Sequence, residues 1–281
     1  MAENVYSGFS SIDKITGGFK KGELIFILSS PGMGKTLFAL NIAYNAIINT
    51  DSKICFFNMD MYMPKKELYR RINSIEGKKV LAMNEVPKII YPDNLFMEYP
   101  PELTIRGVSD SCRRIQKSFG LDLIIVDYLQ MVSMGKRMQG SARKLNEFVA
   151  GLKQLAEELK LPIIVLANTK HDPKKEDSKK YSRLAFAYNY VLSPLERKKR
   201  PLPCDIRGGK APLKYGDKFL SLYMHDTLHH GVSLEILASG VDDCRRYRNL
   251  EVNIWGKNNT YLGQTKLEFH DLQMKFKETK I

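Results

Sequence analysis

Long hydrophobic runs are what this sequence most plainly lacks. No apolar stretch approaches the ~20 residues that a bilayer-spanning helix needs, so no transmembrane segment is expected. The opening, MAENVYSGF, has no basic segment followed by an apolar one, so no secretory signal is expected either. Cysteine is sparse. Cys55, Cys112, Cys204 and Cys244 are scattered without a C-x-x-C pair, which leaves reduced thiols in a cytoplasmic protein as the expectation. His225 and His229, four apart in MHDTLHHG, have the spacing of a metal pair, but no third ligand follows at useful spacing. There is no internal repeat.

What is present suffices for a large core. The chain has 281 residues, 43% of them hydrophobic, enough for one large α/β domain. Net charge is +13 and unevenly spread. Between Lys170 and Lys214 stand 13 Lys and Arg against five acids, more than half of the total excess. Such a stretch suits a polyanionic partner, or it is a solvated mobile loop; the two are compatible.

Strand and helix patterns alternate along much of the chain. FSSIDKITGGF reads as a helical turn closed by glycines within a short lead-in over residues 1–20. GELIFIL, KICFFN, NLFMEY, LDLIIVDYLQM and PIIVLANTK read as strands. TLFALNIAYNAI, KKELYRRINSI, RGVSDSCRRIQKSFG and SARKLNEFVAGLKQLAEELKL carry apolar residues at helical spacing. The basic stretch to about residue 216 reads as irregular. KFLSLYMH, VSLEILAS, NLEVNIWGK and QTKLEFH then read as strands. The pattern predicts an α/β core, residues 21–281, with a C-terminal β extension.

The chemistry begins in ILSSPGMGKTLFAL. Its Gly34, Lys35 and Thr36 match the end of the phosphate-loop pattern G-x-x-x-x-G-K-[ST], and Ser29 stands where the first glycine would be. A strand precedes the loop and a helix follows it, so backbone N–H groups at the helix start can meet an anion. Ser30, Pro31, Gly32, Met33, Gly34, Lys35, Thr36 and Leu37 are the candidate nucleotide contacts. Lys35 can reach the terminal phosphates and Thr36 can ligate Mg²⁺. Ser29 needs only to be small. Asp127 stands at the carboxyl end of LIIVD, where a second acid can hold Mg²⁺ through water or through Thr36. Asp60, after FFNM, either orients an attacking water or caps a helix or turn. Asn168, closing IIVLAN, either senses a γ-phosphate or forms a turn.

These stretches together resemble the C-terminal, RecA-like ATPase domain of the DnaB family of replicative helicases. M-G-K-T, D-Y-L-Q at Asp127–Gln130, KQLAEELKLPIIVLA, RPLPCDIRGGKA and the closing GQTKLEFH carry the likeness, which covers nearly the whole chain. The resemblance implies an ATP-hydrolysing DNA helicase acting in DNA replication. It implies a ring, usually a hexamer, with ATP–Mg²⁺ between subunits and single-stranded DNA through the centre. Lys35 and Thr36 match the family's phosphate and Mg²⁺ residues, Asp127 its second acid, and Arg207 the loop arginine that touches the DNA backbone. Gly209 and Lys210 lie beside that arginine.

Several positions depart from the pattern. Asp60 stands where the family has its glutamate base, with two extra residues just after it, and Asn168 replaces a glutamine. Gly208, Gly209 and Lys210 replace E-S-G. The final hairpin offers Lys257, Asn258 and Asn259 but lacks the arginine that reaches a neighbour's ATP; Arg245, Arg246 and Arg248 are alternative sources. No stretch resembles the family's N-terminal collar domain or linker helix. A second expectation is therefore a weakly hydrolysing relative that binds DNA or regulates a full-length helicase or another replication protein.

Overall fold

Apolar residues fill the central strands up to a polar last residue, because both faces of the sheet are covered. The computed structural model describes residues 4–59, 64–75, 93–100, 102–133, 141–169, 200–207, 209–224, 248–270 and 275–278. The chain starts with a small ribbon, β1 (Asn4–Val5) paired antiparallel with β2 (Phe19–Lys20), enclosing α1 (Ser10–Thr16). Gly17 ends α1 in the left-handed conformation, as the glycines in the sequence suggest. Phe9, Ile12 and Phe19 from this lead-in are buried in the main core, and α1 packs on the C-terminal strands.

Alternating units follow: β3 (Leu24–Ser29), α2 (Lys35–Thr50), β4 (Ile54–Asn58), α3 (Lys65–Ile75), β5 (Leu95–Glu98), α4 (Ile105–Phe119), β6 (Leu123–Asp127), α5 (Ser141–Leu159) and β7 (Ile163–Asn168). A short helix α6 (Ala211–Tyr215) leads into β8 (Lys218–Met224), β9 (Arg248–Trp255), β10 (Tyr261–His270) and β11 (Lys275–Glu278). Among the described residues one sheet has nine strands in the order β11-β10-β9-β8-β3-β7-β6-β4-β5. From β8 to β5 neighbours run parallel; β9, β10 and β11 extend the sheet antiparallel. This is the α/β architecture with a β extension that the pattern predicts.

Period-two alternation splits each strand between two cores. Ile25, Ile27, Ile54, Phe56 and Ile125 face α1, α2 and α3, whereas Leu24, Phe26, Leu28, Phe57, Ile124 and Val126 face α4 and α5. Because the central strands are parallel and in register, their carboxyl ends share one edge. Ser29 sits opposite Asn168, and Asn58 opposite Asp127.

Two expectations change in extent. LDLIIVDYLQM is a strand only to Asp127; Leu129–Ser133 is a 3-10 turn, because the chain leaves the sheet there. The described end of the stretch read as irregular, from Arg200 to residue 216, carries a 3-10 turn at Pro203–Asp205 and α6 after it. The other part of that stretch, 170–199, lies outside the described residues, as do VSLEILAS, His225, His229, Cys244, Arg245 and Arg246. Among the described residues no helix is long and apolar enough to cross a membrane.

Candidate functional site

The loop between β3 and α2 is built around two left-handed glycines, Gly32 and Gly34, each with φ of 80°. A Cβ on Gly32 would meet nothing within 4 Å. Backbone conformation, not crowding, therefore calls for glycine at that position. The 16-residue α2 starts immediately after Gly34. Its first N–H groups have no intrahelical acceptor, and the helix dipole adds positive potential to them. Residues Ser30–Thr36 thus form an anion cradle at a helix N-terminus.

Lys35 is only 8% exposed. Its ammonium lies 3.0 Å from Ser29 Oγ, 3.3 Å from Ser29 O and 3.2 Å from Ser30 O, all neutral oxygens. Burial lowers its pKa to about 8, with the Asp127 carboxylate pulling the other way. Ser29 does more than stay small. It is fully buried, and its hydroxyl donates to Ser30 O at 2.8 Å. With its one proton committed there, the oxygen is left to accept from Lys35. The expectation that Ser29 needs only to be small did not include these contacts.

Asp127 and Thr36 are in contact. Thr36 Oγ1 donates to Asp127 Oδ2 at 2.7 Å across 91 positions of sequence. Two hard oxygens in contact at an anion cradle suit a hydrated Mg²⁺. The Asp127 carbonyl accepts from Met59 N–H at 2.8 Å, which ties this strand end to β4. The Asp127–Tyr128 peptide is cis. Asp60, one residue past Met59, lies outside the described residues.

Asn168 lies between the two halves of the site. Its N–H donates to Gln130 Oε1 at 2.9 Å, and its carbonyl accepts from Gln130 Nε2 at 3.2 Å and from Arg207 N–H at 2.9 Å. Gln130 Nε2 also donates to Arg207 O at 2.9 Å. A bridge pairs Thr169 with Ile206, and Thr169 N–H donates to Ser29 O at 3.1 Å. The Arg207 segment is thus laced to the same strand end that adjoins the phosphate loop. Arg207, Gly209 and Lys210 are exposed there, and a Cβ on Gly209 would lie 3.3 Å from Asn146 of α5. Lys257 projects from the β9–β10 turn, 65% exposed, with Asp217 3.9 Å away. Asn258 and Asn259 have φ of 60° and 58°, a left-handed pair that asparagine tolerates better than most residues.

Three contributors escape the sequence reading. Gln130 is used there only as part of D-Y-L-Q, yet it holds Asn168 and Arg207 together; an amide three residues beyond the strand-end acid was the available signal. Ser29 was given no chemical role. Arg200 was counted with the charges available to a polyanion, but it is 5% exposed and paired with Glu251 at 2.5 and 2.8 Å. It belongs to the core, and the charges available to a partner are fewer by one. Arg248 falls within β9.

Residues 4–183 match the family model described as the DnaB-like helicase C terminal domain. The replicative DNA helicase DnaB of Leifsonia xyli subsp. xyli is 29% identical over 196 residues, covering 62% of this chain and 41% of that protein. DnaB of Geobacillus stearothermophilus is 27% identical over 190 residues, with the same shares of 62% and 41%. The chain therefore spans about two fifths of the length of these relatives. Among solved structures, a DnaB-like replicative helicase studied with primase superposes with a TM-score of 0.73 at 20% identity, over 99% of this chain and 62% of that one. A second solved structure, that of an ATPase domain, superposes with a TM-score of 0.71 at 19% identity, over 99% of this chain and 92% of that one. These two likenesses share the RecA-like fold described above. The family match begins in the lead-in and runs through the phosphate loop, Asp127, Gln130 and Asn168, so the chain belongs to the DnaB-like helicase C-terminal domain family.

Proposed function

We propose that this chain is an ATP-driven motor domain of the DnaB type, acting on single-stranded DNA during replication. Residues Ser30–Leu37 hold the phosphates of ATP, Lys35 neutralises them, and Thr36 with Asp127 carries Mg²⁺. Asp60 orients the attacking water and Asn168 senses the γ-phosphate. Arg207, Gly209 and Lys210 contact the DNA backbone, helped by the basic residues from Lys170 onward. Copies of the chain assemble as a ring, a hexamer by family resemblance, with ATP at subunit interfaces, DNA in the central channel and Lys257 facing the neighbour's nucleotide. The setting is the cytoplasm, or a host's cytoplasm if a virus or mobile element encodes it. The observation that carries this reading is the 2.7 Å contact between Thr36 and Asp127 beside a buried lysine held only by neutral oxygens. The test is binding of a fluorescent ATP analogue with Mg²⁺ and hydrolysis with and without oligo-dT. Lys35→Ala is expected to lose nucleotide binding; unchanged affinity in that variant would refute the assignment.

One observation favours a slower enzyme that regulates a full-length helicase. The β9–β10 turn uses consecutive left-handed asparagines at Asn258 and Asn259, and no arginine stands there. Loss of an arginine finger costs roughly 10³- to 10⁵-fold in kcat in well-characterised phosphoryl-transfer enzymes. Lys257 supplies charge without the planar fork. Asp60 is one methylene shorter than glutamate, and a misplacement of about 1 Å costs on the order of a hundredfold. DNA-stimulated turnover is therefore expected to rise in Asp60→Glu and, despite its left-handed site, in Asn258→Arg. A wild-type rate of tens per second, with no gain in either variant, eliminates this second reading.

A further inference from the structure

Gln130 takes the place of a missing strand. The β6–β7 ladder runs Ile124–Ile163, Ile125–Ile164 and Val126–Val165, then stops. Beyond it, the peptide groups of Asn168 on the β6 side face the 3-10 turn that carries Gln130. The side-chain amide takes both of them, Oε1 accepting at 2.9 Å and Nε2 donating at 3.2 Å, as a neighbouring strand would. The second Nε2 proton goes to Arg207 O at 2.9 Å. Only one amide orientation makes all three bonds, because N–H must meet oxygen at each contact. Gln130 is 8% exposed, so little water competes for them.

These bonds lie on a short path between the two halves of the site. Lys35 Nζ and Thr169 N–H both donate to Ser29 O. Asn168 O, one residue back along the strand, accepts from both Arg207 N–H and Gln130 Nε2. Phosphate entering the cradle draws the Lys35 ammonium away from Ser29 and Ser30, and so changes what β7 is bonded to. The Arg207 segment feels that change only while it is clamped to Asn168. We propose that Gln130 is a positioning residue whose amide locks the Arg207 loop in register with the end of β7, so that nucleotide and single-stranded DNA bind with mutual dependence. This rests on the functional reading above and adds the device that couples its two ligands.

A linkage experiment on the full chain tests it. Affinity for fluorescein-labelled oligo-dT is measured by anisotropy, without nucleotide and with Mg²⁺–ATPγS. The same is done for Gln130→Met, which keeps volume and loses all three bonds, and for Gln130→Glu, which keeps the acceptor and size but donates nothing. Coupling between two sites is typically about 5- to 150-fold, and wild type is expected in that range. In both variants Arg207 N–H and the Thr169–Ile206 bridge still touch the end of β7 but no longer fix its register, so the ratio should fall to about a third of the wild-type value or less, while nucleotide affinity without DNA stays within about threefold of wild type. A purely structural residue would weaken each affinity and preserve the ratio, so a wild-type ratio in either folded variant overturns the inference. Amide exchange at Arg207 in wild type needs no variant to fold: slowing on addition of Mg²⁺–ATPγS without DNA is expected, and its absence equally overturns it. Wild-type protein that binds no oligo-dT brings down the functional reading itself, which is a different result.

Discussion

Two cations are buried almost equally in this molecule and have opposite surroundings. Arg200 is 5% exposed and Lys35 is 8% exposed. The Arg200 guanidinium meets Glu251 through both carboxylate oxygens, Asn253 donates to the same carboxylate at 2.7 Å, and Tyr223 lies under the guanidinium at 5.2 Å. Lys35 has three neutral oxygens and a carboxylate, Asp127, already engaged by Thr36. Burying a charge is costly unless it is paired. Arg200 is paired in place and so serves architecture, pinning the base of the Arg207 segment to β9. Lys35 is left under-compensated, and under the function proposed above an anionic ligand would supply what is missing. Burial alone does not distinguish a structural cation from a binding one; the charge of its partners does.

The largest expected effect comes from breaking the matched pair. Arg200→Ala strands the Glu251 carboxylate in the core and should cost about 3–5 kcal/mol of stability. Lys35→Ala should leave the unfolding midpoint unchanged or higher, since it removes a desolvated charge, while abolishing nucleotide binding. Urea unfolding of both variants decides it. The double replacement Arg200→Met with Glu251→Leu should recover most of the loss, because both charges leave together. A loss below about 1 kcal/mol in Arg200→Ala would remove the pair from the architecture and erase the contrast.

The second effect is a pH dependence at Lys35. Its pKa without ligand is lowered to about 8, chiefly by burial, and bound phosphate stabilises the charged form. The bound state therefore holds more protons than the free state above pH 8. Affinity for an ATP analogue should be flat from about pH 7 to 8 and then fall by about tenfold per pH unit, until the bound pKa is reached. Affinity that rises with pH, or stays flat to about pH 9.5, would mean that Lys35 is not the group that meets the phosphate.

The two cations also differ in how far the sequence reveals them. Lys35 was legible because its partners are local: the phosphate loop, between a strand and a helix, is a pattern that one stretch contains. The central strands were legible for the same reason, each being a short apolar run. Asp127 was found by its place at a strand end. Arg200 and Gln130 were not, because their roles depend on residues brought near by the fold. Arg200 finds Glu251 51 positions away, and Gln130 finds Asn168 and Arg207 at 38 and 77. In the sequence Arg200 is simply the last of a run of basic residues. The 3-10 turns at Leu129–Ser133 and Pro203–Asp205 carry no strong periodicity, so nothing in the sequence distinguishes the described part of the connection between β7 and β8 from an irregular one.

The smallest effect concerns the serine that holds Lys35 at rest. Ser29→Ala removes two hydrogen bonds, to Lys35 at 3.0 Å and to Ser30 O at 2.8 Å. Ser30 O keeps Lys35 as a donor, and Lys35 keeps Ser29 O and Ser30 O. No buried carbonyl is orphaned, so the stability cost should be about 1 kcal/mol, the net worth of an ordinary hydrogen bond. Nucleotide affinity should move in the other direction. The hydroxyl stabilises the ammonium in the position that it leaves when phosphate arrives, so deleting it weakens the free state relative to the bound one. At about 1.4 kcal/mol per factor of ten, losing about 0.5–1 kcal/mol of resting stabilisation tightens binding by roughly two- to fivefold. Titration of the ATP analogue into Ser29→Ala, with Mg²⁺ at about pH 7, reads this directly. Weaker binding would place the Ser29 hydroxyl against the phosphate itself, and Lys35 would then be matched by its ligand less completely than the contrast with Arg200 requires.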